Sequence, residues 1–355
     1  MRLIRACIDT QALRSNLSLL RTRAPRSRIM AVVKANAYGH GLVPVALALG
    51  HADAFAVARI EEAVALRSAG VKQPIVLLEG VINAEQLAAA AELSLELVVH
   101  DALQLALLEG FRGAHRFALW LKVDTGMNRL GFRVEDFAAA WERLATLKVS
   151  PLSLRVLTHL ACADERGHAA NGEQLERFAA LADRLGAERS IASSAAVLSL
   201  PQSHVEWVRP GLALYGLSPF AGQLGTAFGL KPVMTLESTV IAVREVRAGE
   251  TVGYGAAWRG ARLARRHPRR RLRRRAAAQP PNGAPVIIGG RRAPLTGRVS
   301  MDMIAVDVPT SRRCARAIVP SSRRPAPRWR RWPPLRAAAL RAGVRVGQRV
   351  PVELA

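Results

Sequence analysis

The chain has 355 residues, half of them hydrophobic, and a formal net charge of +25 at neutral pH. That length buries a substantial core and accommodates a barrel with a smaller companion domain. No apolar run reaches the roughly 18 residues of a spanning helix and residues 1–6 lack the apolar stretch of a signal peptide, so a cytoplasmic protein with no membrane partner is expected.

The charge is local. Residues 1–258 hold 27 Lys+Arg against 24 Asp+Glu, a net of +3, whereas 259–355 hold 25 against 3, a net of +22. Cys7, Cys162 and Cys314 form no CxxC pair, so neither a disulfide framework nor a metal site is suggested.

In chain order, leucines at 13, 17 and 20 predict a short amphipathic helix, and the apolar run 29–33 predicts a buried strand ending at Lys34. Further strands are predicted at 54–58, 75–78, 95–99, 117–123 and 154–158, near Ile191, and at 205–208. Helical spacing separates them, as in 60–69, where Glu61 and Glu62 occupy the first turn and Gly70 follows the end. Eight strand–helix units predict a (β/α)8 TIM-like barrel over residues 8–228, with its chemistry at the C-terminal strand ends. From 229 to 355, joined by residues 1–7, β-branched runs such as 238–243 predict a mostly-β domain.

Three places carry residues suited to chemistry. Lys34 ends a strand at the barrel mouth, where partial burial lowers an amine's pKa and frees it to form a Schiff base with an aldehyde. A strand-end lysine reaching solvent is the competing reading. The loops after strands seven and eight hold Ser193-Ser194-Ala195 and Arg209-Pro210-Gly211-Leu212, hydroxyls and backbone N–H groups that suit a phosphate. His159 follows a buried strand and reads, by itself, as a satisfied core histidine; Lys122 reads as a charged strand residue.

The stretch Val33-Lys34-Ala35-Asn36-Ala37-Tyr38-Gly39-His40-Gly41 resembles the cofactor-lysine signature of the bacterial alanine racemases. Residues 122–131, Thr158-His159-Leu160, Arg209-Pro210-Gly211, Gly253-Tyr254-Gly255 and Gly297-Arg298-Val299-Ser300-Met301-Asp302 extend the likeness in order. The resemblance implies a racemase interconverting L- and D-alanine for peptidoglycan, dependent on pyridoxal 5'-phosphate (PLP). Lys34 would carry the cofactor; Tyr38, Ser194, Gly211 and Leu212 would hold its phosphate; and Arg209 would face the pyridine nitrogen. Lys34 and Tyr254 would be the two opposed bases, with His159, a further cofactor-binding residue, beside the tyrosine and linked to Arg209. Arg129 and Met301 would receive the substrate carboxylate, supported by Lys122, a position often carbamylated in relatives, and by Asp302. In the family the tyrosine comes from the other subunit, which implies a homodimer with shared active sites.

Two segments, 262–280 and 311–347, depart from the family in runs of Arg, Pro and Ala. Both are read as spans translated out of frame from a GC-rich gene; translating the other two frames tests this, and failure to restore apolar alternation there would leave a genuine basic insertion. Such a chain could also be a catalytically impaired PLP-binding homologue. Other readings are a racemase of serine or another small amino acid and, in a different class, a basic nucleic-acid-binding protein. The nine arginines of 262–275 lack aromatic interleaving or any nucleic-acid module, so no nucleic-acid partner is expected. The tripeptide Asp124-Thr125-Gly126 also occurs in aspartic proteases, whose chemistry requires a second such carboxylate that this chain lacks.

Overall fold

The computed structural model describes residues 4–260, 282–288, 290–300, 303–308, 317–319 and 352–354. It divides into two compact units, Asp9–Val233 and Met1–Ile8 with Met234–Ala355. The Arg-rich run 262–280 lies outside the described residues, as do Met301 and Asp302.

The first strand, β1 (Ile4–Ile8), belongs to the smaller unit. The next eight close into a parallel barrel in sequence order: β2 (Arg28–Val32), β3 (Ala54–Val57), β4 (Ile75–Leu77), β5 (Glu96–Val99), β6 (Ala118–Lys122), β7 (Ser153–Leu157), β8 (Arg189–Ser193) and β9 (Trp207–Arg209). Their apolar runs are nearly continuous because one face fills the barrel and the other packs beneath helices. Met30, Val32, Ala54, Ala56, Val76, Val98, Trp120, Leu157 and Trp207 form the interior. The neighbours of opposite parity, among them Ile29, Phe55, Leu119 and Leu121, are fully buried against the outer layer. The helix predicted at 60–69 forms as Ile60–Ser68.

One ion-pair cluster closes the end of the barrel where the strands begin. Arg155 on β7 pairs through Nη1 with Glu96 Oε2 at 2.9 Å, and its Nε approaches Glu188 Oε2 at 2.8 Å at an angle that makes an ion pair without a hydrogen bond. Its guanidinium carbon lies 5.1 Å from the Trp120 ring centre and 5.7 Å from that of Trp207. Both indoles donate to the same carboxylates, Trp120 to Glu96 and Trp207 to Glu188. Replacing Arg155 with Met leaves the mostly buried Glu96 with only the Trp120 N–H, while Glu188 keeps Arg28. We expect a loss of about 2–3 kcal/mol, the cost of a broken buried pair discounted for the solvent reaching Glu188, read as a lower urea midpoint. An unchanged midpoint would show that the cluster contributes nothing.

In the smaller unit, β10 (Met234–Ser238) pairs antiparallel with β1. A hairpin of β11 (Thr251–Val252) and β12 (Trp258–Arg259) follows, then β13 (Pro285–Ile288), β14 (Arg291–Thr296), β15 (Ala305–Val306), β16 (Ala317–Val319) and β17 (Val352–Leu354). Seven of these form one sheet in the order β15-β14-β13-β16-β10-β1-β17. Ala284, Val286, Ile288, Ala293 and Leu295 make its core, with the alternation expected of a sheet buried on one face.

The run 238–243 does not continue as a strand. Pairing stops at Ser238, and Ile241 and Val243 stand 64% and 68% exposed. No described strand lies beside them, and β-propensity without a partner does not hold an extended backbone. Strand β16, conversely, falls inside the segment 311–347. Among the described residues no helix is long and apolar enough to cross a membrane.

Candidate active site

Strand parity brings the site together. Residues 30 and 32 of β2 point into the barrel, and by the same parity Trp120 leads to Lys122 and Trp207 to Arg209; Lys34 and His159 each lie two residues past the end of their strand, β2 and β7, and act electrostatically on this group. Four strands thus deliver two lysines, a histidine and an arginine to one mouth, above an apolar floor.

Arg209 is 5% exposed and tightly held. Its Nη1 donates to Ser190 Oγ at 2.6 Å, and its Nη2 to the carbonyls of Thr158 at 2.5 Å and Ile191 at 3.2 Å. The same Nη2 lies 3.3 Å from His159 Nδ1. Guanidinium offers only donors, so this nitrogen of His159 accepts and the proton sits on Nε2. Burial lowers Arg209 to about 10, leaving it charged at neutral pH. His159 falls to about 3, first through burial and then through Arg209, Arg129, Lys122 and Lys34, so the imidazole is neutral.

Lys122 is lowered to about 8 by burial, then by Arg209 and Arg129, with Asp124 opposing and Lys34 adding a smaller push. Asp124 does little to offset this positive field, because its carboxylate is occupied by its own loop. Oδ1 accepts from the N–H groups of Gly126 and Met127 at 2.9 and 2.8 Å, and Oδ2 from that of Arg129 at 3.1 Å. Burial pulls the Asp124 carboxyl up, but these donors outweigh it and hold the group below its ordinary range. The Asp-Thr-Gly tripeptide therefore builds a loop that presents Arg129 at the surface of the mouth, and it has no place in protease chemistry here.

The turn after Lys34 is left-handed. Ala35, Asn36, Ala37 and Tyr38 all have φ near +54° (54, 53, 53 and 54), before Gly39 at 82°. Each such non-glycine residue costs about 1–2 kcal/mol, so the surroundings must impose the turn. Glu62 Oε1 accepts from the Asn36 N–H at 3.2 Å, Asn36 Oδ1 accepts from Leu42 N–H at 2.8 Å, and His40 Nδ1 lies 3.1 Å from the carbonyls of both Ala37 and Tyr38. His40 is buried against the Tyr215 ring, and burial lowers it to about 4, so it is neutral with Nδ1–H as the donor.

This turn points Tyr38 at the ends of β8 and β9. A Cβ at Gly211 would stand 2.3 Å from the Tyr38 hydroxyl, so glycine alone admits the phenol there. Ser194, also buried, accepts through Oγ from the N–H of Gly211 at 2.8 Å and of Ala213 at 3.1 Å. Its own O–H remains available to donate. Leu212 opens the short turn Leu212–Tyr215 beside them.

Tyr254 lies in the other unit. It occupies a tight turn between Gly253 and Gly255, with φ of 75° and 70°, and is 69% exposed. Any side chain at Gly297 would meet Val252 O at 2.7 Å, and one at Gly255 would meet the Arg298 guanidinium at 3.2 Å. The Gly-Tyr-Gly and Gly-Arg-Val motifs, about 40 residues apart in sequence, therefore pack together.

A closed parallel barrel whose mouth joins two lysines, a neutral histidine and a buried arginine to a hydroxyl-lined turn is a (β/α)8 enzyme built to hold a small anionic molecule. Residues 8–219 match the alanine racemase N-terminal domain and residues 272–322 the alanine racemase C-terminal domain, so the likeness runs into both Arg-rich segments. Alanine racemases of Vibrio vulnificus and Aeromonas hydrophila are 45% and 47% identical, covering 87% and 85% of this chain and 86% and 85% of theirs. The biosynthetic alanine racemase of Pseudomonas aeruginosa superposes with a TM-score of 0.86 at 39% identity over the full length of both chains. That of Acinetobacter baumannii gives 0.83 at 31%, again over both full lengths. The chain belongs to the alanine racemase family, which makes it an amino-acid racemase, an isomerase.

Proposed function

We propose that the chain binds PLP at the barrel mouth and interconverts L- and D-alanine by a two-base mechanism, acting in the cytoplasm to supply D-alanine for peptidoglycan. The convergence of Lys34, His159 and Arg209 beside the Ser194–Gly211 seat carries this reading. The residues fit the cofactor. Ser194, its Oγ accepting from the Gly211 and Ala213 N–H groups, keeps a free O–H, and Gly211 leaves room only for the Tyr38 phenol, which suits a phosphate. Arg209, donor-only and charged, suits a pyridine nitrogen that is to stay unprotonated.

Bound PLP draws electrons from the amino acid's α-carbon and so makes its hydrogen removable. Lys34 serves one face as base. Tyr254 serves the other, and the neutral His159, donating through Nε2, stabilises its phenolate. Arg129 receives the carboxylate with Met301, and Lys122 and Asp302 support them. Lys122, lowered to about 8, is partly neutral at physiological pH, the form whose nitrogen bonds carbon dioxide and releases a proton to give an anionic carbamate that would brace Arg129. The 69% exposure of Tyr254 on its own chain supports its use by a second copy, and a homodimer with shared sites is part of the reading.

The test is direct. Purified protein given L-alanine and PLP forms D-alanine until the two enantiomers are equal, and dialysis against hydroxylamine stops it. D-alanine formation that survives complete removal of PLP would refute the cofactor assignment.

A further inference from the structure

Helix Ala169–Ala182 packs outside the barrel, yet one of its side chains joins two strand ends of the mouth. Gln174 is 1% exposed. Its Nε2 donates to Thr125 Oγ1 and to the His159 carbonyl, each at 3.1 Å, and its Oε1 accepts from the Ala161 N–H at 2.9 Å. Thr125 Oγ1 in turn lies 2.9 Å from Thr158 Oγ1, and Arg177, one helical turn on, donates to the Thr125 carbonyl at 2.9 Å. Every polar atom of this amide is satisfied, and all its partners belong to the loops after β6 and β7.

We propose that Gln174 is a positioning residue that sets the distance between the loop bearing Arg129 and the strand end bearing His159, and thereby the register of the substrate carboxylate. The inference rests on the reading of Arg129 given above. Thr125 begins the turn whose N–H groups wrap the Asp124 carboxylate and end at Arg129, so a shift at Thr125 moves the guanidinium. His159 is fixed through its own carbonyl. Lys34 and the Ser194–Gly211 seat follow β2, β8 and β9, and none of the Gln174 hydrogen bonds reaches them.

That separation gives the effect a signature. Gln174→Met keeps the length and apolar volume of the side chain and removes all three hydrogen bonds. KM for alanine should rise about tenfold, the scale of a lost buried polar contact, with kcat changed less and PLP affinity changed less than KM, since of the cofactor's groups only Arg209 touches this link, through Thr158 and His159. Thr125→Val cuts the same link from its other end and should give the same split, which covers the case in which the Met variant does not fold. Arg129→Ala, run in parallel, should raise KM further. If Arg129→Ala raises KM and neither linking variant does, the role of Gln174 is wrong while the Arg129 reading stands. If Arg129→Ala leaves KM unchanged, the Arg129 reading itself fails and this inference with it. A loss of PLP affinity in the linking variants equal to their loss in KM would mark general damage and overturn the proposal.

Discussion

Lys34→Ala is expected to abolish racemisation, lowering D-alanine formation by about 10⁴-fold or more, because one substitution removes both the amine that anchors the cofactor and one of two bases. The fold should survive. Lys34 lies two residues past the end of β2, and among the described residues it adds positive charge to a mouth already holding Arg209, Lys122 and Arg129. Removing it relieves repulsion, so the thermal midpoint should hold or rise slightly while Lys122 becomes easier to protonate. Far-UV circular dichroism and a coupled D-alanine assay on the same sample separate the two effects. Retention of about a tenth of the parent rate would contradict the assignment of Lys34 as a base.

Tyr254→Phe tests the other face. The substitution keeps the ring in the Gly253–Gly255 turn and removes only the hydroxyl, which is exposed on its own chain. Interconversion should fall by about 10²–10⁴-fold, the usual contribution of a positioned acid–base group. In D2O the remaining base still exchanges the α-hydrogen of one enantiomer, so one isomer should incorporate deuterium without inverting while the other does neither. Equal exchange in both isomers would show that a single base serves both faces. PLP affinity should be unchanged, since the groups that hold the cofactor lie in the barrel unit. Above neutral pH the profile should carry no inflection from His159, which at about 3 is already neutral throughout that range.

What could be read from sequence follows from periodicity. A buried apolar run that stops at Lys34 puts that amine at the barrel mouth, whereas His159 and Lys122 read alone as a core histidine and a charged strand residue and gained their roles only from the family likeness. The eight barrel strands were legible for the same reason, with ends displaced by a residue or two. The left-handed turn was not. Ala35-Asn36-Ala37-Tyr38 contains no glycine to ask for positive φ, and the groups that impose it, Glu62 and Tyr215, lie 26 and more residues away in sequence. Gln174 left no signal either, since a mid-helix glutamine reads as a solvated position until the helix is packed. The β-branched run 238–243 rightly pointed to a mostly-β unit, but only Ser238 is paired, since the described sheet offers the rest no neighbour. The roles assigned to Met301 and Asp302 lie outside the described residues and rest on the family likeness alone.

The central claim is that one amine at the end of β2 captures the aldehyde of PLP. Reducing the PLP-loaded protein with borohydride, digesting it and mapping the modified peptide by mass spectrometry addresses this without reference to activity. The cofactor adduct should be found on the peptide containing Lys34, with none on Lys122 or any other lysine. An adduct located elsewhere, or none on a folded protein that has taken up PLP, would contradict the account.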